Sequence, residues 1–254
     1  MILRRLGNKK NIATEIQKYF PPHKIYIEPF FGAGGMFFNK PKAKYNIVND
    51  LDSDVFNLFQ VVMNQKEELE KAFYMMPIHS DLLNYWKKNL EVDPIKKALR
   101  FLFLSNFTWM GAGNSIDLGN KNKHQTSNFF KITFDLLSDV KFCNFDCNKF
   151  INSQQFTKSD PNDCLIYCDP PYLGTEDNYS NSFTQEQSIE LFDTLQATKC
   201  KFAMSEFDNP FILEQAEKRG LNIITIGERQ NLKNRKTEIL VTNYKKTLSL
   251  FDWV

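Results

Sequence analysis

The chain has 254 residues, and its 32 Lys and Arg nearly balance 30 Asp and Glu, which leaves a net charge of +2. This balance does not by itself indicate a nucleic-acid partner, although a balanced total can contain a local basic patch. The basic N-terminus lacks the apolar segment of a secretion signal, and no apolar run is long enough to span a membrane, so we expect a cytoplasmic protein.

The first predicted elements alternate between strand and helix. The apolar run Ile25–Glu28 predicts a strand, Gly32–Gly35 a glycine loop, and the apolar pattern that resumes at Met36–Phe38 a helix. A second strand is predicted at Tyr45–Asp50, and helical spacing at Ser53–Val62, with Ser53 as the capping residue. This rhythm predicts an α/β fold with a doubly wound, mostly parallel sheet and helices on both faces.

From about residue 58 to residue 136 the pattern is mainly helical and polar. Charged, helix-like stretches at Gln65–Met75 and Pro94–Leu104 are followed by the polar segment Gly119–Asn128, without strand-forming runs. The remaining strand candidates are Val140–Asp146, Cys164–Asp169, Lys201–Ser205, Leu221–Ile226 and Glu238–Tyr244. We therefore expect one α/β domain, residues 1–57 and 137–254, interrupted by a mainly helical domain at residues 58–136.

Five cysteines occur, at positions 143, 147, 164, 168 and 200. An odd number without a secretion signal indicates reduced thiols. Two Cys-x-x-x-Cys pairs suggest zinc, but they lie in apolar, strand-like runs without the usual turn residues between ligands. We expect buried, small apolar side chains and no metal.

The segment Asp169-Pro170-Pro171-Tyr172 directly follows a short apolar run. Proline lacks a backbone donor and holds the residue before it in an extended conformation, so the strand must end here. A rigid turn would explain the two prolines alone. The acid before them and the aromatic residue after them require a further explanation.

Acidic residues also end three other predicted strands, at Glu28, Asp50 and Asp146. The carboxyl ends of parallel strands form the usual ligand-binding edge of such a sheet. Asp50 suits the two hydroxyls of a ribose, although it is equally suited to capping the next helix. Gly32 lets a ligand approach the backbone, and Glu28 beside it suits an ammonium group rather than a pyrophosphate. A ligand with an ammonium group, a ribose and an adenine but no phosphate matches S-adenosylmethionine.

Six motifs occur in one order along the chain: Arg5–Lys9, Glu28–Gly35, Asn49-Asp50 with Ser53-Asp54, Asp169–Tyr172, Asn181–Thr184 and Arg235–Tyr244. In this order the chain resembles the Dam-like DNA adenine methyltransferases. The resemblance implies transfer of a methyl group from S-adenosylmethionine to the 6-amino group of adenine in double-stranded DNA. A methyltransferase for RNA, cytosine or protein glutamine, and an inactive DNA-binding relative, remain alternatives.

The resemblance also implies roles for individual residues at the cofactor. The methionine end would lie near Arg5 and Lys9, above the loop that contains Glu28, Phe30, Gly32 and Gly34, with Asp50 on the ribose and Asp146 and Cys147 beside the adenine. The family usually has an aromatic residue where this chain has Arg5. A contact between the cofactor and the backbone of residue 5 is compatible with arginine at this position, but stacking of an aromatic side chain is not.

The Asp169–Tyr172 motif is the expected catalytic centre. The lone pair of the adenine amino nitrogen is delocalised into the ring, so the nitrogen is a poor nucleophile. Asp169 and the Pro170 carbonyl are two acceptors for its hydrogens and favour a lone pair that points at the methyl group. Tyr172 offers a face on which a flipped base can stack.

Candidate DNA contacts fall into two groups. In the helical domain they are Asn106, Trp109, Lys121 and Lys123, although a Trp in an apolar stretch is more often a core residue and lysines can be merely solvated. Near the C-terminus they are Arg229, Lys233, Arg235 and Lys236, and Phe183 is expected to close over the base beside the candidate helix cap Thr184. We expect a monomer, with double-stranded DNA and a cognate restriction endonuclease as candidate partners.

Overall fold

The computed structural model describes residues 2–3, 8–117, 123–157, 160–174, 183–230 and 235–245. The chain divides into two compact units. The first comprises Met1–Asn11, Phe31–Asn39 and Asp50–Asn144, and the second comprises Ile12–Phe30, Lys40–Asn49 and Phe145–Val254. Within the described residues, no helix is both long and apolar enough to cross a membrane.

The sheet has the strand order β3-β2-β1-β4-β5-β7-β6. Its strands are β1 (Ile25–Glu28), β2 (Tyr45–Asn49), β3 (Val140–Cys143), β4 (Cys164–Cys168), β5 (Lys201–Phe207), β6 (Asn222–Gln230) and β7 (Arg235–Thr242). In the second unit, β1 pairs in parallel with β2 and β4, and β4 pairs in parallel with β5. Only β7 runs antiparallel to its neighbours β5 and β6 among these pairs. The predicted mostly parallel α/β fold is confirmed.

The central strand β4 explains why this sheet forms. All five of its residues are buried, as expected for a parallel strand covered on both faces. The hydroxyl groups of Tyr167 and Ser205 lie 2.9 Å apart. The buried hydroxyl of Tyr167, on β4, therefore has a hydrogen-bond partner inside the core. The strand order also reverses here, because β2 lies on one side of β1 and β5 on the far side of β4.

Within the described residues, ten α-helices accompany the strands. They are α1 (Ala13–Gln17), α2 (Ser53–Asn64), α3 (Lys66–Met75), α4 (Ser80–Lys88), α5 (Pro94–Phe107), α6 (Lys123–Leu137), α7 (Cys147–Asn152), α8 (Asp160–Asp163), α9 (Gln185–Ala197) and α10 (Pro210–Lys218). Short 3-10 turns occur at Lys9–Asn11, Phe37–Asn39 and Trp109–Gly111.

The first unit is held together by aromatic side chains. Phe31, Phe59 and Phe142 pack with ring centroids 4.9 to 5.6 Å apart. Around α5, Phe103 packs against Trp86 at 5.3 Å and against Phe107 at 6.1 Å. Among the described residues between β2 and β3 there are helices, one 3-10 turn and an isolated bridge. A separate recognition domain at residues 58–136 remains a prediction.

Several local predictions were wrong. The apolar residues Met36–Phe38 do not begin an α-helix but lead into the 3-10 turn Phe37–Asn39, and Pro41 follows too closely for a helix to continue. Ser53 does not cap α2, because Asp52 accepts from the Asp54 N–H at 2.9 Å while the Ser53 hydroxyl accepts from Lys97. Finally, β3 ends at Cys143, three residues before its predicted end.

Candidate active site

The carboxyl ends of β1 and β4 lie side by side in the second unit. These two parallel strands are paired from Ile25 to Ile27 with Cys164 to Ile166, so Glu28 ends β1 beside the strand that leads into Asp169. An open α/β sheet binds ligands outside the carboxyl ends of its strands, where the strand order reverses. The strand order of this sheet reverses at this pair of strands.

Glu28 is a buried carboxylate that is 2% exposed. It accepts a hydrogen bond of 2.8 Å from the Tyr26 hydroxyl. The ammonium group of Lys40 lies 4.0 Å from the centre of the Tyr26 ring. Burial lowers the pKa of Lys40 to about 8, and the charge of Glu28 acts in the opposite direction. Glu28 is therefore held in place by its own strand and supplies negative charge at the strand end.

The turn after β4 is anchored through Tyr172. This residue is 8% exposed, and its hydroxyl donates to Glu238 Oε1 on β7 over 2.5 Å. Its ring packs edge-on against Phe207 of β5, with centroids 4.6 Å apart and an interplanar angle of 83°. Burial, followed by the charges of Asp169 and Glu238, raises the pKa of Tyr172 well above its ordinary value. The phenol therefore remains a donor at neutral pH.

A second carboxylate holds the end of the same turn. Glu206 on β5 is 1% exposed and accepts from the backbone N–H of Leu173 at 3.0 Å. Its other oxygen accepts from the Phe207 N–H at 2.7 Å. Sequence reasoning missed both Glu206 and Glu238 as site residues. The available signal was a charged residue inside an apolar strand run for Glu206 and at the start of one for Glu238. A charged group is costly to bury without a partner.

In the first unit, Asp50 binds the glycine loop. Its Oδ2 accepts from the Gly32 N–H at 2.6 Å, and its Oδ1 accepts from the Asp52 N–H at 2.8 Å. The Asn144 side chain donates to the Asp50 backbone carbonyl at 2.7 Å. Asp50 therefore does not cap α2. Its carboxylate instead binds the backbone of the glycine loop. The sequence predicted that the same carboxylate binds the ribose of the cofactor.

The glycines of that loop serve different purposes. A Cβ at Gly34 would meet the Phe38 ring at 2.3 Å, and one at Gly35 would meet Asn8 Oδ1 at 2.0 Å, so packing within the unit requires both. Gly32 has φ +54, and an added Cβ would meet no described atom within 4 Å. Of the three positions, Gly32 is the one open to a ligand. Lys9 is 3% exposed next to this loop, and Arg5 lies outside the described residues.

Asp146 and Cys147 lie at the start of α7 in the second unit. Asp146 caps the helix by accepting from the Asn148 N–H at 3.1 Å and the Lys149 N–H at 3.2 Å. Cys147 is 7% exposed, and burial, with a smaller contribution from Asp146, raises its pKa to about 12. Cys147 is therefore a neutral, apolar thiol rather than a nucleophile.

The segment that precedes α7 is bound by Asn49, the last residue of β2. Its amide oxygen accepts from the Phe145 N–H at 2.9 Å, and its amide nitrogen donates to the Phe145 carbonyl at 2.9 Å and the Pro29 carbonyl at 3.0 Å. Asn49 is fully buried. Sequence reasoning included Asn49 in a motif but gave it no role.

The candidate DNA contacts of the first unit differ in their surroundings. Asn106 is buried, and its amide donates to the Ile2 carbonyl at 2.7 Å. Trp109 is 61% exposed, so it is not a core residue. The Lys123 ammonium donates to the carbonyls of Tyr74, in the last turn of α3, and of Met76, directly after that helix. Burial lowers the pKa of Lys123. Lys121 lies outside the described residues. Trp109 alone of the described candidates in this unit presents its side chain at the surface.

The candidates of the second unit lie in two places. Phe183 packs edge-on against Phe30, with ring centroids 6.1 Å apart. Thr184 caps α9 in a capping box with Gln187. In the hairpin of β6 and β7, the backbone of Arg229 lies opposite that of Lys236, and Arg235 is the first residue of β7. Lys233 is outside the described residues. The Lys236 ammonium lies 5.1 Å from the centre of the Phe207 ring.

The five cysteines are buried and form no disulfide. Within the described part of the chain, no group of three or more His, Cys, Asp or Glu side chains is arranged to hold a metal ion. The cysteines of the two Cys-x-x-x-Cys pairs thus behave as small apolar side chains.

The fold is that of an α/β protein in which β1 ends at the buried Glu28 and the neighbouring strand β4 leads into an anchored Asp-Pro-Pro-Tyr turn. Residues 6–239 match the D12 class N6 adenine-specific DNA methyltransferases, and the chain belongs to this family. The predicted relationship to DNA adenine methyltransferases is confirmed.

The chain is also similar to individual proteins of known name or structure. The DNA adenine methylase of Haemophilus influenzae is 28% identical over 216 residues, which cover 75% of this chain and 72% of that protein. The DNA adenine methylase of Escherichia coli K12 is 24% identical over 242 residues, which cover 88% and 86%. Among solved structures, the rRNA methyltransferase aviRa from Streptomyces viridochromogenes aligns with a TM-score of 0.38 at 10% identity, over 91% of this chain and 83% of that one.

Proposed function

We propose that the protein transfers a methyl group from S-adenosylmethionine to the 6-amino group of a flipped adenine in double-stranded DNA. The observation that carries this proposal is the turn Asp169–Tyr172 at the carboxyl end of β4. Glu238 on β7 binds it at Tyr172, and Glu206 on β5 binds the next residue, Leu173. The names of the similar methylases from Haemophilus influenzae and Escherichia coli favour DNA adenine over RNA, cytosine or protein glutamine.

The chemistry of the available groups fits the proposed cofactor. When bound, S-adenosylmethionine supplies an electrophilic methyl group on a positively charged sulfonium. Glu28 is a buried carboxylate at a strand end and suits a positively charged ligand. Gly32, with open space at its Cβ position among the described atoms, suits close approach to the backbone. The remaining proposed contacts are Arg5, Lys9, Phe30, Gly34, Asp50, Asp146, Cys147 and Asp169.

Asp169 and Pro170 would act on the adenine amino group. The Asp169 carboxylate and the Pro170 carbonyl each accept one amino hydrogen, which localises the nitrogen lone pair. The nitrogen gains the methyl group and loses one proton, which the carboxylate can accept. Because Pro170 and Pro171 restrict the backbone, the two acceptors keep a fixed spacing.

Access to the amino group requires that the base leaves the duplex. We assign Tyr172 and Phe183 to the contact with the flipped base. The contacts with the phosphates are assigned to Arg229, Arg235 and Lys236 of the hairpin and to Lys233, which lies between its two strands in the sequence. Residues 58–136 would form the target-recognition domain, with Trp109 its exposed aromatic candidate. Asn106, Lys121 and Lys123 complete the set of proposed DNA contacts. We expect the protein to be a monomer and to have a cognate restriction endonuclease as a partner.

The test is methylation with labelled S-adenosylmethionine of double-stranded DNA, RNA and protein in parallel. We expect label in DNA, at the 6-amino group of adenine. Asp169→Ala should abolish transfer, because one of the two acceptors is lost. Cofactor affinity should be largely spared, because Asp169 is only one of the proposed cofactor contacts and the others remain. Label confined to RNA, to cytosine or to protein contradicts the proposal, and a wild-type protein that binds DNA without transfer indicates an inactive relative.

A further inference from the structure

We infer that Asn49 is a positioning residue for the cofactor: its side-chain amide sets the spacing between the loop after β1 and the segment that begins α7. This inference rests on the proposed function and adds a residue to it. The hydrogen bonds of its side chain to Pro29 and Phe145 lie within the second unit. One amide group makes three hydrogen bonds of 2.9 to 3.0 Å to two backbone segments that are far apart in the sequence.

The two segments carry proposed cofactor residues on either side. Pro29, whose carbonyl accepts from Asn49, lies between Glu28 and Phe30. Phe145, whose N–H and carbonyl are both bound, comes directly before Asp146 and Cys147. A shift of either segment therefore moves residues assigned to different parts of the cofactor, so contacts to the cofactor are weakened and its affinity falls.

Asparagine is required at this position by the pattern of donors and acceptors. The oxygen faces an N–H group and the nitrogen faces two carbonyls, so the side chain must accept at one end and donate twice at the other. Aspartate has nearly the same shape but cannot donate, and it would set a carboxylate against two carbonyl oxygens. Because the site is fully buried, water does not replace the lost donors without rearrangement.

The same strand offers a matched control. Asn46 is 5% exposed and also uses both ends of its amide, donating to the Ala43 carbonyl at 2.8 Å and accepting from the Ala43 N–H at 3.2 Å. It lies near the start of β2, whereas Asn49 lies at its carboxyl end. Asn46→Asp thus removes buried amide donors from the same strand without touching a segment that carries proposed cofactor residues.

The experiment compares Asn49→Asp, Asn49→Ser and Asn46→Asp with the wild type. For each folded protein, the Kd of S-adenosylmethionine is measured by calorimetry, KM and kcat by methylation of DNA, and stability by thermal unfolding. For both Asn49 variants we expect Kd and KM for the cofactor to rise about tenfold, the equivalent of one buried hydrogen-bonding group left without its partner. We expect kcat at saturating cofactor to stay within about twofold, because the acceptors Asp169 and Pro170 are untouched.

The control separates positioning from stability. Asn46→Asp should lower the unfolding temperature while leaving Kd and KM at their wild-type values. The inference is overturned if a folded Asn49 variant binds the cofactor as the wild type does, or if Asn46→Asp weakens the cofactor equally. A wild-type protein that binds no S-adenosylmethionine at all contradicts the proposed function instead, so the two failures are distinguishable.

Discussion

At the scale of single residues, the structure changes the interpretation of Tyr172. The sequence predicted an aromatic face for stacking, which depends on the residue type alone. The structure adds that the hydroxyl is bound to Glu238, 66 positions away along the chain, and that the ring edge packs against Phe207. No local pattern identifies such a partner, because it is brought close only by the pairing of β5 with β7.

Tyr172→Phe should therefore impair catalysis although it keeps the ring. Glu238 loses a donor while still buried, which costs about 1–3 kcal/mol of stability. The turn that holds Asp169 and Pro170 also loses an anchor, so we expect kcat to fall while the Kd of S-adenosylmethionine changes little. Single-turnover methylation and calorimetry measure the two quantities.

Tyr167→Phe is the control for this prediction. Tyr167 lies on β4, and its buried hydroxyl is 2.9 Å from that of Ser205, so the variant loses a comparable contact outside the turn. It should lose stability and keep kcat. If Tyr172→Phe also keeps kcat, the hydroxyl of Tyr172 has only a structural role.

At the scale of elements, strands were predicted best where burial determines them. The strand β4 is a continuous apolar run, and its predicted bounds differ from the observed ones by one residue. By contrast, β6 extends to Gln230, four residues past its predicted end, because pairing with β7 rather than burial holds its polar second half. The helix predicted at Met36–Phe38 did not form, since apolar periodicity does not reveal that Pro41 stops it.

The hairpin of β6 and β7 is the element expected to bind DNA phosphates. Each phosphate contact releases counterions, so removing one contact should reduce the slope of log affinity against log salt by about 1. We expect Lys233→Gln and Lys236→Gln to weaken DNA binding similarly for all sequences and to lower this slope. Fluorescence anisotropy across a salt series measures it.

A lysine at the opposite end of the strands provides the comparison. Lys24 directly precedes β1, pairs with Asp163 at 2.7 Å and is exposed. Lys24→Gln removes the same charge from the amino-terminal edge of the sheet and should leave the slope unchanged. Equal slopes for the wild type and the hairpin variants would remove the hairpin from the DNA interface.

At the scale of the whole molecule, the sequence predicts the candidate site residues but not the buried residues that hold them in place. The acids at strand ends and the Asp-Pro-Pro-Tyr turn are local sequence patterns, and a parallel sheet brings the ends of its strands to one edge. These features could therefore be predicted from the sequence. The supports are Asn49, Glu206 and Glu238, whose partners lie on segments distant in sequence. Their roles follow from strand order and register, which local patterns do not specify.

Lys40 predicts how global stability depends on pH. It is 9% exposed, and burial lowers its pKa in the folded protein to about 8 from an ordinary value of 10.5. Between these values the unfolded chain binds a proton that the folded protein does not, so stability rises with pH across this window. Below pH 8 both states carry the charge, and the contribution is constant.

Replacing Lys40 should therefore remove part of this pH dependence. Relative to Lys40→Met, the wild type should gain up to about 3 kcal/mol of unfolding free energy as pH rises from 8 to 10.5, as the shift from 10.5 to about 8 implies. Urea unfolding followed by circular dichroism at several pH values measures the difference, and Lys44→Met, which removes an exposed lysine, controls for net charge. A difference between the wild type and Lys40→Met that stays constant over this range would mean that Lys40 keeps its ordinary pKa, and that Glu28 offsets the whole effect of burial.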